Sequence, residues 1–346
     1  MRNSFFIATA CLVALVVYAL ARLVNNDYLF FAGYVVLQFV VLATAWNILG
    51  GYCGYVNFGS AAFFALGAYS SVSLVKFPAL AVKYFPEWLA ALVTAIFPLP
   101  IPILILVAGL VAGLVGLGTG YLTLRLRGVY FSIATLALAV VLQTLVVNWD
   151  YVGGSRGAYV VRPAATPFLG INYIEYLFLL MLALSVAAIA TARTIERSRL
   201  GFGFAAIRDD ELAAESCGVP TLRLKLIATA LSGAFMGMAG APFPYYIGYL
   251  EPSSAFGLAY AVNAIAMPMI GGTTSWIGPL VGAVLLGTLQ QLATVTISSA
   301  VSLLIVGLLL IVFVIIAPNG IVGLFENLLR RERKDTSRPL DAGSKA

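Results

Sequence analysis

Histidine is absent from the 346 residues, cysteine occurs three times, and charged side chains make up only 10% of the chain. Each scarcity removes a class of function. Without histidine there is no Ser–His or Cys–His nucleophile–base pair and no histidine-bearing metal site, which weighs against an enzyme. Cys11, Cys53 and Cys217 are scattered, spaced neither as metal ligands nor as a disulfide framework. No G-x-x-x-x-G-K-[ST] phosphate loop occurs, so the chain cannot hold ATP in that way itself. A soluble domain carries about 25% charged residues. With 62% hydrophobic residues and a mean hydropathy of +1.00, this chain reads instead as an all-α polytopic membrane protein with little soluble mass. The net charge of +6 is then a matter of loops and sidedness, not of nucleic-acid affinity.

What the chain has in quantity is apolar runs. They cover residues 5–20, 28–49, 59–75, 101–124, 130–149, 173–192, 226–247, 255–270, 276–295 and 301–317. At ~20 residues per crossing these predict a bundle of about ten spans, the eighth and tenth being short. The first run ends in Ala19-Leu20-Ala21, which has the small-residue pattern of a signal-peptidase site, so cleavage there is an open alternative. The stretch 76–100, with Lys76, Lys83, Glu87 and several prolines, reads as irregular; its piece 88–97 is too short to cross and fits an interfacial or re-entrant segment.

Between the sixth and seventh runs lies a polar island, 193–225, holding six Lys/Arg and five Asp/Glu. Its middle predicts a short helix. Ala205, Ala206, Leu212, Ala213 and Ala214 favour one, Asp209, Asp210 and Glu211 suit a helix N-terminus, and Gly218 and Pro220 stop it. Such a helix cannot sit in hydrocarbon, so it lies at the surface, either as a docking element or as an ordinary solvated loop. If the island is cytosolic, fifteen basic residues fall inside and five (Arg22, Lys76, Lys83, Arg156 and Arg162) outside, with both termini inside. The same arrangement leaves the carboxylates in loops or tail and the basic residues outside the spans or at their ends. No intramembrane ionisable group is then available to couple a proton or a voltage to transport.

Glycine is abundant, with 33 residues. The small-x-x-x-small pairs Gly109/Gly113, Gly116/Gly120, Gly233/Gly237 and Gly278/Gly282 predict close helix packing. Two glycine breaks, at 50–59 and 271–275, occupy corresponding places in the two halves. They are either tight turns or pointers to a midplane substrate site. In the fifth run Ser132, Thr135 and Gln143 share one helical face within about 80°, a polar stripe that either bonds a neighbouring helix or lines a path.

Several ordered stretches resemble the LivM-type permease family of ATP-binding-cassette importers for branched-chain amino acids. They are Asn47-Ile48-Leu49-Gly50-Gly51-Tyr52-Cys53-Gly54 leading to Gly59-Ser60-Ala61-Ala62-Phe63-Phe64-Ala65-Leu66-Gly67-Ala68-Tyr69, then residues 124–137 from Leu124-Arg125-Leu126-Arg127, and Gly153-Gly154-Ser155-Arg156-Gly157. Ala206-Ile207-Arg208-Asp209-Asp210-Glu211 with Ala213-Ala214 follows, then Gly271-Gly272 with Gly278-Pro279, and Ala317-Pro318-Asn319-Gly320. The resemblance runs from about residue 28 to 325. It implies a permease domain over 1–325 with a cytosolic coupling loop at 193–225, and a disordered basic tail over 326–346. It implies a multi-pass protein of the bacterial inner membrane that translocates branched-chain or other small amino acids, with no cofactor of its own. The implied partners are a separate ATPase, a second permease of similar fold, an external solute-binding protein and membrane lipid. Coupling to the ATPase would fall to Arg208, Asp209, Asp210, Glu211, Ala213, Ala214 and Gly218, and the path to Asn57, Ser60, Ser132, Thr135 and Gln143.

Two departures stand out. Leu212 occupies the place of the glutamate in the E-A-A-x-x-x-G coupling pattern, with Glu211 one residue early, and Gly59-Ser60 stands where this family often has histidine. The family also includes permeases for urea, amides and other small polar solutes. A stand-alone carrier or channel, a membrane-embedded enzyme and a purely structural subunit are the rivals from other classes.

Overall fold

The computed structural model describes residues 3–24, 26–160 and 172–296, with scattered positions between 304 and 324. Helices α1 (Asn3–Leu23), α2 (Asp27–Gly50), α3 (Ser60–Tyr84), α4 (Glu87–Ile96), α5 (Ile101–Thr123) and α6 (Val129–Val147) make up the first half. Strand β1 (Ala158–Tyr159) and helix α7 (Tyr173–Glu196) follow, then α8 (Arg199–Asp209), α9 (Glu211–Ser216) and α10 (Thr221–Gly240). The chain continues through α11 (Phe243–Ile247), β2 (Tyr249–Leu250), α12 (Pro252–Ala255), α13 (Leu258–Gly271) and α14 (Ile277–Thr296). Among the described residues nine helical segments are long and apolar enough to cross a membrane, and they coincide with the first nine apolar runs. Most of the tenth run, the motif 317–320 apart from Gly320, and the tail 326–346 lie outside the described residues.

Helix α2 is the centre of the bundle. Its residues from Gln38 to Leu49 are all buried, and α7, α10, α13 and α14 pack around it. The closest helix pair is α5 with α10, where the predicted small-residue pairs meet. A Cβ on Gly237 would lie 2.3 Å from Ala112 Cβ, and one on Gly116 would lie 3.1 Å from the Thr229 carbonyl oxygen. With no slack between their backbones, the two helices are locked face to face. By contrast α1 and α6 lie at the periphery. No residue of the α1 span is buried, and α6 buries only Phe131, Thr135 and Val146. Each end of α1 is held on α7: Tyr18 Oη donates to Glu175 Oε1 at 2.6 Å, and the Arg193 guanidinium lies 3.6 Å from the Phe6 ring centroid.

Several sequence expectations need correction. Helix α3 does not end with its apolar run but continues through Pro78 to Tyr84, and Lys83 near its end is exposed. The spans are not free of ionisable side chains, because Glu175, Arg193 and Lys225 lie within long helices and are buried. Each has a local reason to be tolerated: Glu175 faces Tyr18 and Arg22, Arg193 is stacked on aromatic rings, and Lys225 meets a carboxylate. The island folds as two helices, not one.

The loops alternate between two ends. At one end, loops 51–59, 124–128 and 271–276 converge on the island. At the other, β1 pairs antiparallel with β2 (Ala158 opposite Leu250, Tyr159 opposite Tyr249), and Tyr151 Oη donates to the Ser73 carbonyl at 2.6 Å. The two glycine breaks are both at the island end and touch one another: a Cβ on Gly51 would stand 2.7 Å from the Thr273 carbonyl oxygen. They are joined again through Glu196, whose Oε2 accepts from Tyr52 Oη at 3.4 Å and from the Trp276 backbone N–H at 2.8 Å.

Candidate functional site

The island begins where Ser198 caps α8, its Oγ accepting from Leu200 N at 3.2 Å. Phe204 and Ile207 point into the bundle and seal this helix to it. Asp210 then interrupts the chain. Its backbone is extended (φ −158°), its N–H still donates to the Ala206 carbonyl, and its Oδ1 accepts from Ala213 N at 3.0 Å. It thus ends α8 and starts α9. An aspartate side chain can stand in for the i−4 carbonyl as acceptor of a backbone N–H, so one helix can stop and another start at this residue, and the single helix read from sequence breaks here. Beyond Ser216 the chain turns at Gly218, whose φ of +83° is the left-handed conformation expected of a glycine stop.

The inward side of α9 carries a closed polar network. Lys225 Nζ, on the first turns of α10, donates to Glu211 Oε1 at 2.6 Å, to Tyr55 Oη at 3.2 Å and to the Leu124 carbonyl at 3.2 Å. Tyr55 Oη donates in turn to Glu211 Oε2, and the Lys225 ammonium also lies 4.8 Å from the Tyr55 ring centroid. Arg127 adds a second cation, its Nε 3.7 Å from Glu211 Oε1 and its Nη2 3.2 Å from Glu215 Oε2. Thr221 Oγ1 donates to the other Glu215 oxygen at 2.8 Å. Two cations therefore face two carboxylates.

Burial alone would raise the Glu211 carboxyl, but hydrogen bonds from Lys225 and Tyr55 and the charges of Lys225 and Arg127 hold it below the usual carboxylate range. The Tyr55 phenol is pushed up, first by burial and then by its bond to Glu211. The buried Cys53 thiol nearby is pushed up to about 12 by desolvation, against the pull of Lys225. Lys225 is only 3% exposed, so removing its partner would strand a buried charge at a cost of about 3–5 kcal/mol. Arg127 with Glu215 is half-exposed and contributes no more than about 1 kcal/mol.

The outward side is different. Leu212 is 61% exposed, Ala213, Ser216 and Cys217 are exposed beside it, and Phe202 on α8 is 72% exposed. Asp209 stands in water, paired with Arg208 at 3.3 Å. Arg208 also packs its stem over the first glycine break, where a Cβ on Gly54 would come within 3.0 Å of Arg208 Cγ. Of the residues read from sequence as coupling residues, Arg208, Asp209 and Ala213 lie on or beside this outward face. Asp210 is the cap, Ala214 is buried and Gly218 is the turn. Glu211 points the other way, into the bundle.

The candidate path residues are partly brought together. Asn57 and Thr135 line one cleft, with Phe63, Phe131, Thr123 and Thr229, that has room for about one water. Asn57 Oδ1 accepts from Gly59 N at 2.7 Å, and Phe58 N donates to Thr135 Oγ1 at 3.2 Å. Ser132 Oγ donates to the Val56 carbonyl at 2.8 Å. The stripe on α6 is thus spent largely on holding the loop after α2. Ser60 is buried with its Oγ unpartnered among the described residues. Gln143 is half-buried, farther along α6.

Tyr55, Lys225, Arg127 and Glu196 were not singled out from sequence as site residues. One signal was present: Lys225 stands one residue before an apolar run, on the helix that continues into it, and a lysine there needs a partner. Nothing local marks Tyr55, 156 residues from Glu211.

The family described as branched-chain amino acid transport system / permease component matches residues 28–314. Among curated proteins the chain is similar to the high-affinity branched-chain amino acid transport system permease protein LivM of Salmonella typhimurium, 28% identical over 308 residues, 82% of this chain and 67% of that protein. It is 24% identical over 289 residues to the probable branched-chain amino acid transport permease protein LivH of Methanocaldococcus jannaschii, covering 80% of this chain and 85% of that protein. It is 27% identical over 188 residues to the autoinducer 2 import system permease protein LsrC of Yersinia enterocolitica, about half of each chain. No solved structure matches.

Proposed function

From the premise that this chain belongs to the branched-chain amino acid transport system permease family, we propose that it carries a branched-chain or other small amino acid inward across the bacterial inner membrane. It is a multi-pass membrane permease of the ATP-binding-cassette importer type. Its energy comes from a separate ATPase that docks on the island. The observation that carries this reading is the two-sidedness of α9. Its inward side is bonded to the bundle, while its outward side leaves Leu212, 61% exposed, uncovered on a charged loop with Ala213, Ser216 and Cys217 exposed beside it. An uncovered leucine on the free side of a short helix that the bundle holds from behind fits a contact surface. Fifteen basic residues against five support placing that face in the cytosol.

The solute arrives at the opposite end, from a binding protein that meets the loops around β1 and β2. ATP binding in the partner shifts α8 and α9, and the bundle changes its access. The path runs beside α6, with a second permease of similar fold completing it. A second reading, another small polar solute on the same machinery, is favoured by the likeness to LsrC.

The test is reconstitution in proteoliposomes with an ATPase, a second permease and a solute-binding protein of the same importer family from the same organism. Leucine, isoleucine, valine and urea serve as labelled solutes. Uptake of an amino acid that requires both ATP and the binding protein is the expected result. Uptake without the ATPase would identify a stand-alone carrier, and no flux of any solute with all partners present would remove the transport reading.

A further inference from the structure

We infer that Lys225 is a positioning residue of energy coupling: it is the strut that passes motion of α9 to the α5–α10 pair. This rests on the reading of the island as the ATPase-docking element. Three observations carry it. First, α9 is six residues long and hangs between an aspartate cap and a glycine turn, so by itself it has little stiffness. Second, its buried link to the long helices is directional. Lys225 Nζ binds Glu211 on α9, the Leu124 carbonyl just after α5, and Tyr55 in the loop after α2, all within 3.2 Å. Third, the helix bearing Lys225 is locked to α5 by backbone contact along Gly109, Gly113, Gly116, Gly233 and Gly237. A push on Glu211 therefore reaches two spanning helices as one body.

The outer pair, Arg127 with Glu215, cannot substitute for the strut. It is half-exposed, and Arg127 belongs to the loop after α5 and not to a spanning helix. An ordinary stabilising pair would predict something else: loss of folded protein, with transport per folded molecule unchanged. The strut predicts a change in how much transport each ATP produces.

The decisive variant is the double substitution Glu211→Gln with Lys225→Met, because removing both charges of a buried pair avoids the stranded charge that a single change leaves. Wild-type and double-variant chains are purified with the ATPase and reconstituted side by side, and uptake and ATP hydrolysis are measured in the same vesicles. The double variant should copurify with the ATPase in the wild-type ratio. Its uptake per ATP hydrolysed should fall between about 5-fold and about 150-fold, the range of typical site-to-site coupling. Lys225→Met alone should show the same loss wherever it accumulates. A wild-type coupling ratio in the double variant overturns the strut while leaving island docking intact, and so does a double variant that cannot assemble at all. Failure of the wild-type chain to bind the ATPase overturns the docking reading itself, and this inference with it.

Discussion

Replacing Asp210 with alanine separates the two jobs that α9 has to do. The side chain accepts one hydrogen bond, from Ala213 N at 3.0 Å, and sits where α8 ends and α9 begins. Losing an aspartate N-cap costs about 1 kcal/mol. Set against the buried link between Lys225 and Glu211, whose disruption costs about 3–5 kcal/mol, the cap is the weaker restraint. The prediction follows from the ranking: in Asp210→Ala α9 stays attached at Glu211 but frays at its start. A loss of about 1 kcal/mol raises the open population about fivefold. Amide hydrogen exchange read by mass spectrometry over a peptide spanning 211–217 should therefore speed up by about that factor, with peptides from α10 unchanged. Asp210→Asn keeps a capping oxygen and should stay near the wild-type rate. Equal exchange in the alanine and asparagine variants would refute the capping argument. Faster exchange in α10 as well would show that the cap, and not the buried pair, is what holds the island.

The remaining predictions use other handles. Glu211 has a depressed carboxyl, so the stability it contributes is present above its unfolded value of about 4.3 and lost as pH falls through the lower folded value; thermal stability in detergent should be flat from neutral to about pH 5, then fall, and Glu211→Gln should flatten that fall. Cys217 is exposed and Cys53 is 0% exposed, so a maleimide should label Cys217 in the purified native protein and reach Cys53 only after denaturation. From outside intact cells a membrane-impermeant maleimide should label neither, and labelling of Cys217 there would invert the proposed orientation. Gln143→Leu should lower uptake without changing assembly if the far end of α6 lines the path; a loss of about 0.6 kcal/mol in stability with normal uptake would make Gln143 a packing residue.

The parts that were legible in the sequence are those dictated by the solvent. Hydrocarbon demands long apolar helices, so nine of the runs could be placed by length alone, and the glycine pairs on α5 and α10 could be read as close contacts. The glycine stop at Gly218 was legible because a left-handed turn leaves few alternatives. What could not be read were partnerships across long separations. Ser132 and Thr135 were visible as a polar stripe, but the stripe alone gave no means of choosing a path over the Val56 carbonyl and Phe58 N–H that they meet. Glu211 was grouped with Arg208, Asp209 and Asp210 through the resemblance of this stretch to a coupling loop, which says nothing of the direction of a single side chain. Its direction is set by Lys225 and Tyr55, one of which lies 14 residues away and the other 156. The helix N-terminus suggested by Asp209, Asp210 and Glu211 is there, with Asp210 capping α9; what was missed is that Ala205 and Ala206 belong to a separate helix ending just before it, because an aspartate is also permitted inside a continuous helix.

That Lys225 is buried, with a half-buried Glu211 against it, needs a reason beyond stability. Two well-packed apolar side chains in their places would hold α9 against α10 about as firmly, because desolvation offsets most of the attraction between buried charges. Apolar contacts, however, are not directional and tolerate sliding by a fraction of a turn. Three donor directions from one ammonium, to Glu211, Tyr55 and the Leu124 carbonyl, do not tolerate it. What the pair adds over an apolar replacement is a fixed place for α9 over the ends of α2 and α5. A Glu211→Leu, Lys225→Leu chain should accordingly unfold at nearly the wild-type temperature while its transport per ATP falls, a combination that a merely stabilising pair cannot produce.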